Sequence, residues 1–325
     1  GMYIQVRFKE DILMENERVL TQDEIKSVKG RGFLNQKGTD KFNARVVTVN
    51  GKITSEQCRA LADAADEFGS GEVAFTTRLS AEVQGIPFDK IDAFCESIGK
   101  VGLEAGGTGP KVRPIVSCKG TTCQYGLCDT YALSEKVHKI FYKGYGSVKL
   151  PHKFKIAVGG CPNNCVKPNL NDVGISGRKI PQFNADKCRG CKVCAVEKAC
   201  PVHVPHVENG KLVIPEESCN KCGRCVGKCP FGSIEDGVYG YAVIIGGRWG
   251  KRVAQGRQLT KIFTSEQEVL EVVEKALLFF KDQGKDGERF NDTINRLGFE
   301  YVEEQLMGDD LLKRKEEIIA AELKK

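Results

Sequence analysis

The sequence predicts an α+β fold in two parts, the second interrupted by a cysteine-rich insertion. Three observations predict it. Residues 42–108 read strand–helix–strand–helix by hydrophobic period. Two cysteine pairs, Cys118/Cys123 and Cys161/Cys165, lie far apart with helix-like sequence between them. Between Ile180 and Gly237 a four-cysteine pattern occurs twice, Cys188-x2-Cys191-x2-Cys194-x5-Cys200-Pro and Cys219-x2-Cys222-x2-Cys225-x3-Cys229-Pro.

Taken in order, residues 1–41 carry mixed charge and weak periodicity and read as an N-terminal arm. Arg45–Val49 alternates like a strand and turns at Asn50-Gly51. A helix follows from Thr54, where Thr54 and Gln57 have capping-box spacing, with Cys58, Leu61, Ala65 and Phe68 inward. Glu72–Arg78 reads as a second strand, and Ile91, Phe94, Cys95, Ile98 and Val101 as the face of a second helix. That order fits a small ferredoxin-like half-domain over 42–108. Cys58 and Cys95 read as core packing rather than metal ligands.

Residues 109–179 and 238–300 form the second part. The four thiols at 118, 123, 161 and 165 are the ligand set of a [4Fe–4S] cluster. Zinc also takes four thiolates but usually uses tighter C-x2-C knuckles. Cys118 and Cys123 enclose four residues; either they form the first pair, or Cys128 replaces one of them. The sequence after Cys123 reads as a helix start, which favours the former and leaves Cys128 as a spare thiol in that helix. Lys153 and Lys155 alternate with Phe154 and Ile156, so a strand places both ammonium groups on one face. The repeat in 180–237 is the two-cluster ferredoxin signature, whose fourth cysteines cross over. One cluster then uses Cys188, Cys191, Cys194 and Cys229, the other Cys219, Cys222, Cys225 and Cys200. Asn209-Gly210 predicts the hairpin joining the halves, and His203 and His206 read as surface residues. Tyr239–Ile245 reads as a buried strand. Ser265 with Glu268 caps a helix burying Val269, Val272, Val273, Ala276, Leu277 and Phe280. Residues 301–325 form a charged helical tail.

Composition sets the outer limits. The 325 residues allow two or three modules, 41% hydrophobic content argues against wholesale disorder, and no apolar run approaches a membrane span. The first residues lack a signal-peptide core, and Gly1 ahead of Met2 reads as a cloning remnant. Fifteen cysteines then argue for metal in a cytoplasmic protein rather than disulfides. A net charge of +6, spread along the chain, reads as a solvated surface, not as nucleic-acid binding.

The segments Arg113-x-x-Val-x-Cys118-x-Gly-Thr-x-Cys123, Leu150-Pro-x-Lys153-Phe-Lys155 and Gly160-Cys-Pro-Asn-x-Cys165 together resemble the sirohaem-dependent sulfite and nitrite reductases. Gly287-Glu-Arg-Phe290 and Arg296-Leu-Gly298 resemble that family's closing segment. Within the family the chain looks most like the catalytic subunit of anaerobic sulfite reductase, and secondarily the dissimilatory enzymes. The resemblance covers about residues 42 to 300. It implies a sirohaem and [4Fe–4S] module carrying an inserted two-cluster ferredoxin domain, so three [4Fe–4S] clusters in all, with Cys165 bridging cluster and haem. It further implies Arg113, Lys153 and Lys155 around the substrate, and Arg78, from Thr76-Thr77-Arg78, on sirohaem carboxylates. Arg248, Lys251 and Arg252 are either carboxylate partners or solvated. Asn163 and Asn164 would satisfy backbone or cofactor polar groups.

The chain also departs from the family's pattern. Glu82 stands where the family often has Gln, and Val47 where it has a substrate arginine, for which Arg45 is a substitute. The implied reaction is six-electron reduction of sulfite to sulfide, with nitrite reduction on the same centre and a non-catalytic electron carrier as alternatives. Only one catalytic module is present where single-chain relatives have two, so a homodimer or a related subunit is expected. No dinucleotide-binding glycine pattern follows a strand, so the expected donor is a ferredoxin or flavoprotein.

Overall fold

The computed structural model describes residues 19–325, which form two compact units. The first holds residues 19–47, 53–76 and 81–107. Helix α1 (Gln22–Lys29) opens on a capping box at Thr21 and leads into β1 (Phe33–Asn35). Strand β1 pairs with β2 (Lys41–Val46), whose Phe42, Ala44 and Val46 alternate into the core. Helix α2 (Ser55–Phe68) has the predicted Thr54/Gln57 capping box and buries Leu61, Ala64 and Ala65. Strands β3 (Val73–Phe75) and β4 (Ala81–Pro87) complete an antiparallel sheet of order β1-β2-β4-β3, backed by α3 (Ile91–Gly99). Phe33, Phe42, Phe94, Ile86 and Ile98 are fully buried at its centre.

Two expectations need correction in this unit, and one strand was not read from the sequence. Residues 19–41 are not a detached arm, because Val28 and Phe33 bury into this core and β1 extends the sheet; residues 1–18 of the expected arm lie outside the described residues. Cys58 is exposed although it shares a face of α2 with Leu61 and Ala65, because it lies in the first turn of the helix, ahead of the first buried residue, Leu61. Strand β4 escaped the period-two pattern because its pairing with β2 slips between Phe42 and Ala44, and Gly85 adopts φ +80° there. The irregularity moves the inward positions from Ala81 and Val83 to Ile86.

The second unit holds residues 48–52, 77–80 and 108–325. Its sheet has the order β11-β10-β7-β6-β5. Strands β5 (Val116–Ser117), β6 (Ile156–Gly159) and β7 (Val173–Pro181) are parallel, whereas β10 (Gly237–Ile245) and β11 (Arg257–Phe263) run antiparallel to their neighbours. Helix α4 (Thr130–Val137) precedes β6. Helix α6 (Glu266–Gln283) has the predicted capping box and lays Val269, Val272, Val273, Ala276, Leu277 and Phe280 into the main core.

Pro181 pairs with Gly237, so the cysteine-rich segment leaves and re-enters at adjacent strand ends. That geometry lets a long insertion close without opening the sheet. The segment contains α5 (Ala195–Ala199) and a hairpin of β8 (His206–Glu208) and β9 (Lys211–Val213) turning at Asn209-Gly210, both left-handed. Cys188, Val196, Leu212, Cys225 and Ile234 make its own small core.

After α6 come α7 (Phe290–Leu297), α8 (Phe299–Met307), α9 (Asp310–Lys313) and α10 (Lys315–Ala320). The expected tail helix is thus two short helices with a break at Arg314. It packs down because Leu311 and Ile318 join the main core and Lys281 donates to the Ala321 carbonyl at 2.6 Å.

Candidate functional site

Four thiols line one cavity of about 300 Å³ in the second unit: Cys118, Cys123, Cys161 and Cys165. Cys118 follows β5, and Cys161 and Cys165 follow β6, so parallel pairing of these strands carries both cysteine loops to one sheet end. Burial pushes the Cys161 thiol up, and the nearby Cys118, Cys165 and Cys123 thiols push the same way against the Asn163 N–H. Gly160 N–H donates to the Cys118 sulfur at 3.1 Å.

The loops meet through glycine. A Cβ on Gly160 would lie 2.8 Å from the Gly120 Cα and 3.2 Å from the Thr130 methyl. No other residue fits there without parting the loops. Among the described residues no group of three or more His, Cys, Asp or Glu converges as a single metal ion would require. Thiols spread around a shared cavity fit a multi-iron cluster.

Cys128 is absent from this lining; its sulfur sits 3.8 Å from the Gly159 carbonyl, and burial pushes its thiol up to about 12. Nor does it lie in a helix as expected. Helix α4 starts later, where the Asp129 carboxylate caps the Ala132 N–H at 3.0 Å.

The cations gather nearby. Phe154 and Ile156 are fully buried, Phe154 against Phe280 and Phe290, which leaves Lys153 and Lys155 together on the opposite face as predicted. Burial, and next the Arg78 guanidinium, push the Lys155 ammonium down to about 8. Burial also lowers Lys153, followed by Arg289 and Arg113. His152 is lowered by burial and then by the charges of Arg289, Lys153, Arg113 and Arg248. Arg78 follows the short strand β3 rather than ending it, and donates to Asn171 Oδ1 at 3.1 Å and the Pro114 carbonyl at 2.9 Å. Arg113 N–H donates to the Phe154 carbonyl at 2.8 Å. Arg248 forms two 2.9 Å bonds to Asp292, so it is neither solvated nor without a counter-charge.

The sequence reading missed one pair at the centre of this cluster. Asp172, fully buried, accepts from Arg289 at 3.0 and 3.1 Å and from the Lys155 N–H at 2.9 Å. Burial raises its carboxyl, and Arg289 opposes that shift. Asp172 therefore fixes the strand register that presents Lys155. Asn164 adopts a left-handed backbone, and its buried Oδ1 has no hydrogen-bond partner, an acceptor available to a bound group; Asn163 is exposed beside it. Arg45 belongs to the first unit, where it pairs with Glu82 at 3.6 Å.

In the insertion, burial pushes Cys225 up to about 11, and the Cys219, Cys222 and Cys200 thiols add to it. Cys219 is raised by burial, with Cys222 and Cys200 adding. These four are the predicted crossed set. Cys188 and Cys225 are core residues, with Cys194 and Cys229 packed against the same core. Leu212 N–H points at the Cys188 sulfur and Lys221 N–H at the Cys219 sulfur, each at 3.4 Å. Such N–H···S contacts stabilise thiolate ligands.

Comparison with known proteins gives the family. Residues 108–315 match the nitrite and sulphite reductase 4Fe-4S domain, and residues 35–101 the nitrite/sulfite reductase ferredoxin-like half domain. The coenzyme F420-dependent sulfite reductase of Methanocaldococcus jannaschii is 31% identical over 77% of this chain, but only 39% of that protein is spanned. One subunit of the anaerobic sulfite reductase of Salmonella typhimurium is 31% identical over 68% of both chains. In fold, the chain is similar to the crystal structure of dissimilatory sulfite reductase I, with a TM-score of 0.64 at 22% identity, covering 82% of this chain and 69% of that one. No helix among the described residues is long and apolar enough to cross a membrane. With the 4Fe-4S domain matched over most of its length, the chain belongs to the nitrite and sulphite reductase family.

Proposed function

We propose that this chain reduces sulfite to sulfide, a six-electron reaction, at a sirohaem coupled to the [4Fe–4S] cluster of Cys118, Cys123, Cys161 and Cys165. The observation that carries the reading is the convergence of four thiols on one cavity in the unit that also assembles Arg78, Arg113, Lys153, Lys155, Arg248 and Arg289. Among the described residues two acids sit within this group, Asp172 paired with Arg289 and Asp292 paired with Arg248. A site built from so many cationic side chains suits a polycarboxylate macrocycle and an anionic substrate. Bound sirohaem and its cluster supply the redox chemistry, and the protein supplies binding and electrostatics.

The residues then divide the work. Arg113, Lys153 and Lys155 hold the oxyanion, and a preorganised cationic site stabilises charge on its oxygens. Lys155 Nζ, held near pH 8, is protonated at neutrality yet gives up its proton far more readily than an ordinary lysine. It delivers protons to departing oxygens, directly or through water. Arg78 and Arg248 would hold sirohaem carboxylates, and Cys165 would be the thiolate shared by cluster and haem. The two crossed cysteine sets of the insertion, residues 180–237, would hold two further [4Fe–4S] clusters, which would supply single-electron transfer toward the central site. An external ferredoxin or flavoprotein feeds them, and a second copy or related chain completes the assembly.

An anaerobic assay with a reduced viologen donor tests this. Sulfide should form from sulfite, with a higher kcat/KM than ammonia from nitrite. Fully metallated protein that turns over neither anion would overturn the reading, and a preference for nitrite would reassign the substrate.

A further inference from the structure

Strand β7 runs from one cysteine system to the other. The Ser176 hydroxyl donates to the Cys161 carbonyl at 3.2 Å, and a Cβ on Gly177 would lie 2.5 Å from the Gly160 carbonyl oxygen. Two residues further on, Lys179 N–H donates to the Lys221 carbonyl at 2.8 Å, and Lys179 bridges Cys222 in parallel register. Gly223 lies so close that a Cβ there would meet the Lys179 Cβ at 2.7 Å. From Ser176 to Lys179 the strand rises about 10 Å. Contact with Cys161 and contact with Cys222 are therefore only that far apart.

Arg178 sits between them and is 7% exposed. Its guanidinium donates only to neutral oxygens: Ser176 Oγ, the Gly177 carbonyl at 3.1 Å and Gln258 Oε1 at 3.3 Å. Among the described residues no carboxylate pairs with it. Among the described residues the charges that act on it are the Cys161 and Cys222 thiols, which oppose the lowering by burial to about 10. A buried guanidinium with no acid beside it is costly unless something anionic compensates it. Here the flanking groups are the two sets of thiolates.

We propose that Arg178 is the shared counter-charge of two iron–sulfur clusters, the central one and the one held by Cys200, Cys219, Cys222 and Cys225. The assignment rests on the function proposed above and adds an order to the relay. The Cys222 cluster is the inner member, and the Cys188 cluster is the outer one that receives electrons. Each transfer moves one electron from cluster to cluster with no atom exchanged, and the reductant is a low-potential one-electron donor protein. A fixed positive charge stabilises the more negative, reduced state of whatever cluster it faces. Arg178 thus raises both inner potentials together and draws electrons away from the outer cluster. It acts as a positioning charge and touches no substrate.

The test is an EPR-monitored redox titration of the metallated protein with dithionite. Arg178→Gln should lower the reduction equilibrium constant of two of the three clusters at least tenfold, 59 mV for a one-electron couple, and leave the third in place. Arg178→Lys should restore most of the shift. Gln258→Glu, which sets a carboxylate against an intact Arg178, should move the same two clusters in the same direction. Potentials that stay fixed in Arg178→Gln at full iron content, or all three moving equally, would overturn the assignment. Should Arg178→Gln lose iron, unmoved potentials in Gln258→Glu would overturn it instead. Wild-type protein without a central-cluster signal would overturn the functional reading and this assignment with it.

Discussion

Replacing Asp172 by Asn removes one charge and almost no volume from the centre of the second unit. Asn still offers an oxygen to the Lys155 N–H, now accepted at 2.9 Å, so the backbone contact survives. What is lost is the counter-charge of Arg289, which is 5% exposed and bonded to both carboxylate oxygens at 3.0 and 3.1 Å. Breaking a buried pair by removing one partner costs about 3–5 kcal/mol, because the remaining charge stays desolvated. For a unit of this size each kcal/mol moves the thermal midpoint by about 2–4 °C, so a fall of about 6–20 °C is expected. Differential scanning calorimetry measures it. The double variant Asp172→Asn/Arg289→Met should recover much of the loss, since no charge is then stranded. A drop under about 2 °C for the single variant, or a double variant no better than the single, would refute the argument that this pair organises the cationic cluster.

Other expected outcomes are as direct. Turnover should fall as pH rises through about 8, where Lys155 loses its proton; Lys155→Arg should abolish that limb of the kcat–pH profile, and Lys155→Ala should keep the haem spectrum while losing most turnover. Gly160→Ala, whose Cβ would press on Gly120 and Thr130, should lower iron bound at the central site at least several-fold, read by iron and EPR quantitation with the insertion's signals intact. Cys165→Ser should abolish haem–cluster coupling in the Mössbauer spectrum, and an unchanged coupled signature would remove Cys165 from the bridging position.

Elements whose stabilising contacts are local were legible in the sequence. Helix α6 announced itself through the Ser265/Glu268 box and an unbroken apolar stripe. The alternation around Phe154 predicted which face carries Lys153 and Lys155. The hairpin at Asn209-Gly210 followed from residues that tolerate left-handed backbone. Asp172 and Arg289 stand 117 positions apart, so no window of sequence could join them. The available signals were an acid directly ahead of the apolar run starting at Val173, and Arg289 inside the family-like segment Gly287–Phe290. Arg178 was hidden differently. In period-two reading it shares a face with Ser176 and looks solvated, and its partner Gln258 on β11 lies 80 positions away. The broken period at Gly85 concealed β4 by the same logic, since a bulge reverses the inward set.

The most direct measurement of the central claim is metal and chromophore content of the anaerobically purified protein, by iron analysis with the visible spectrum. Sirohaem bands with about thirteen irons per chain, three four-iron clusters and one haem iron, are predicted. Fully folded protein with about eight irons and no tetrapyrrole absorption would contradict it.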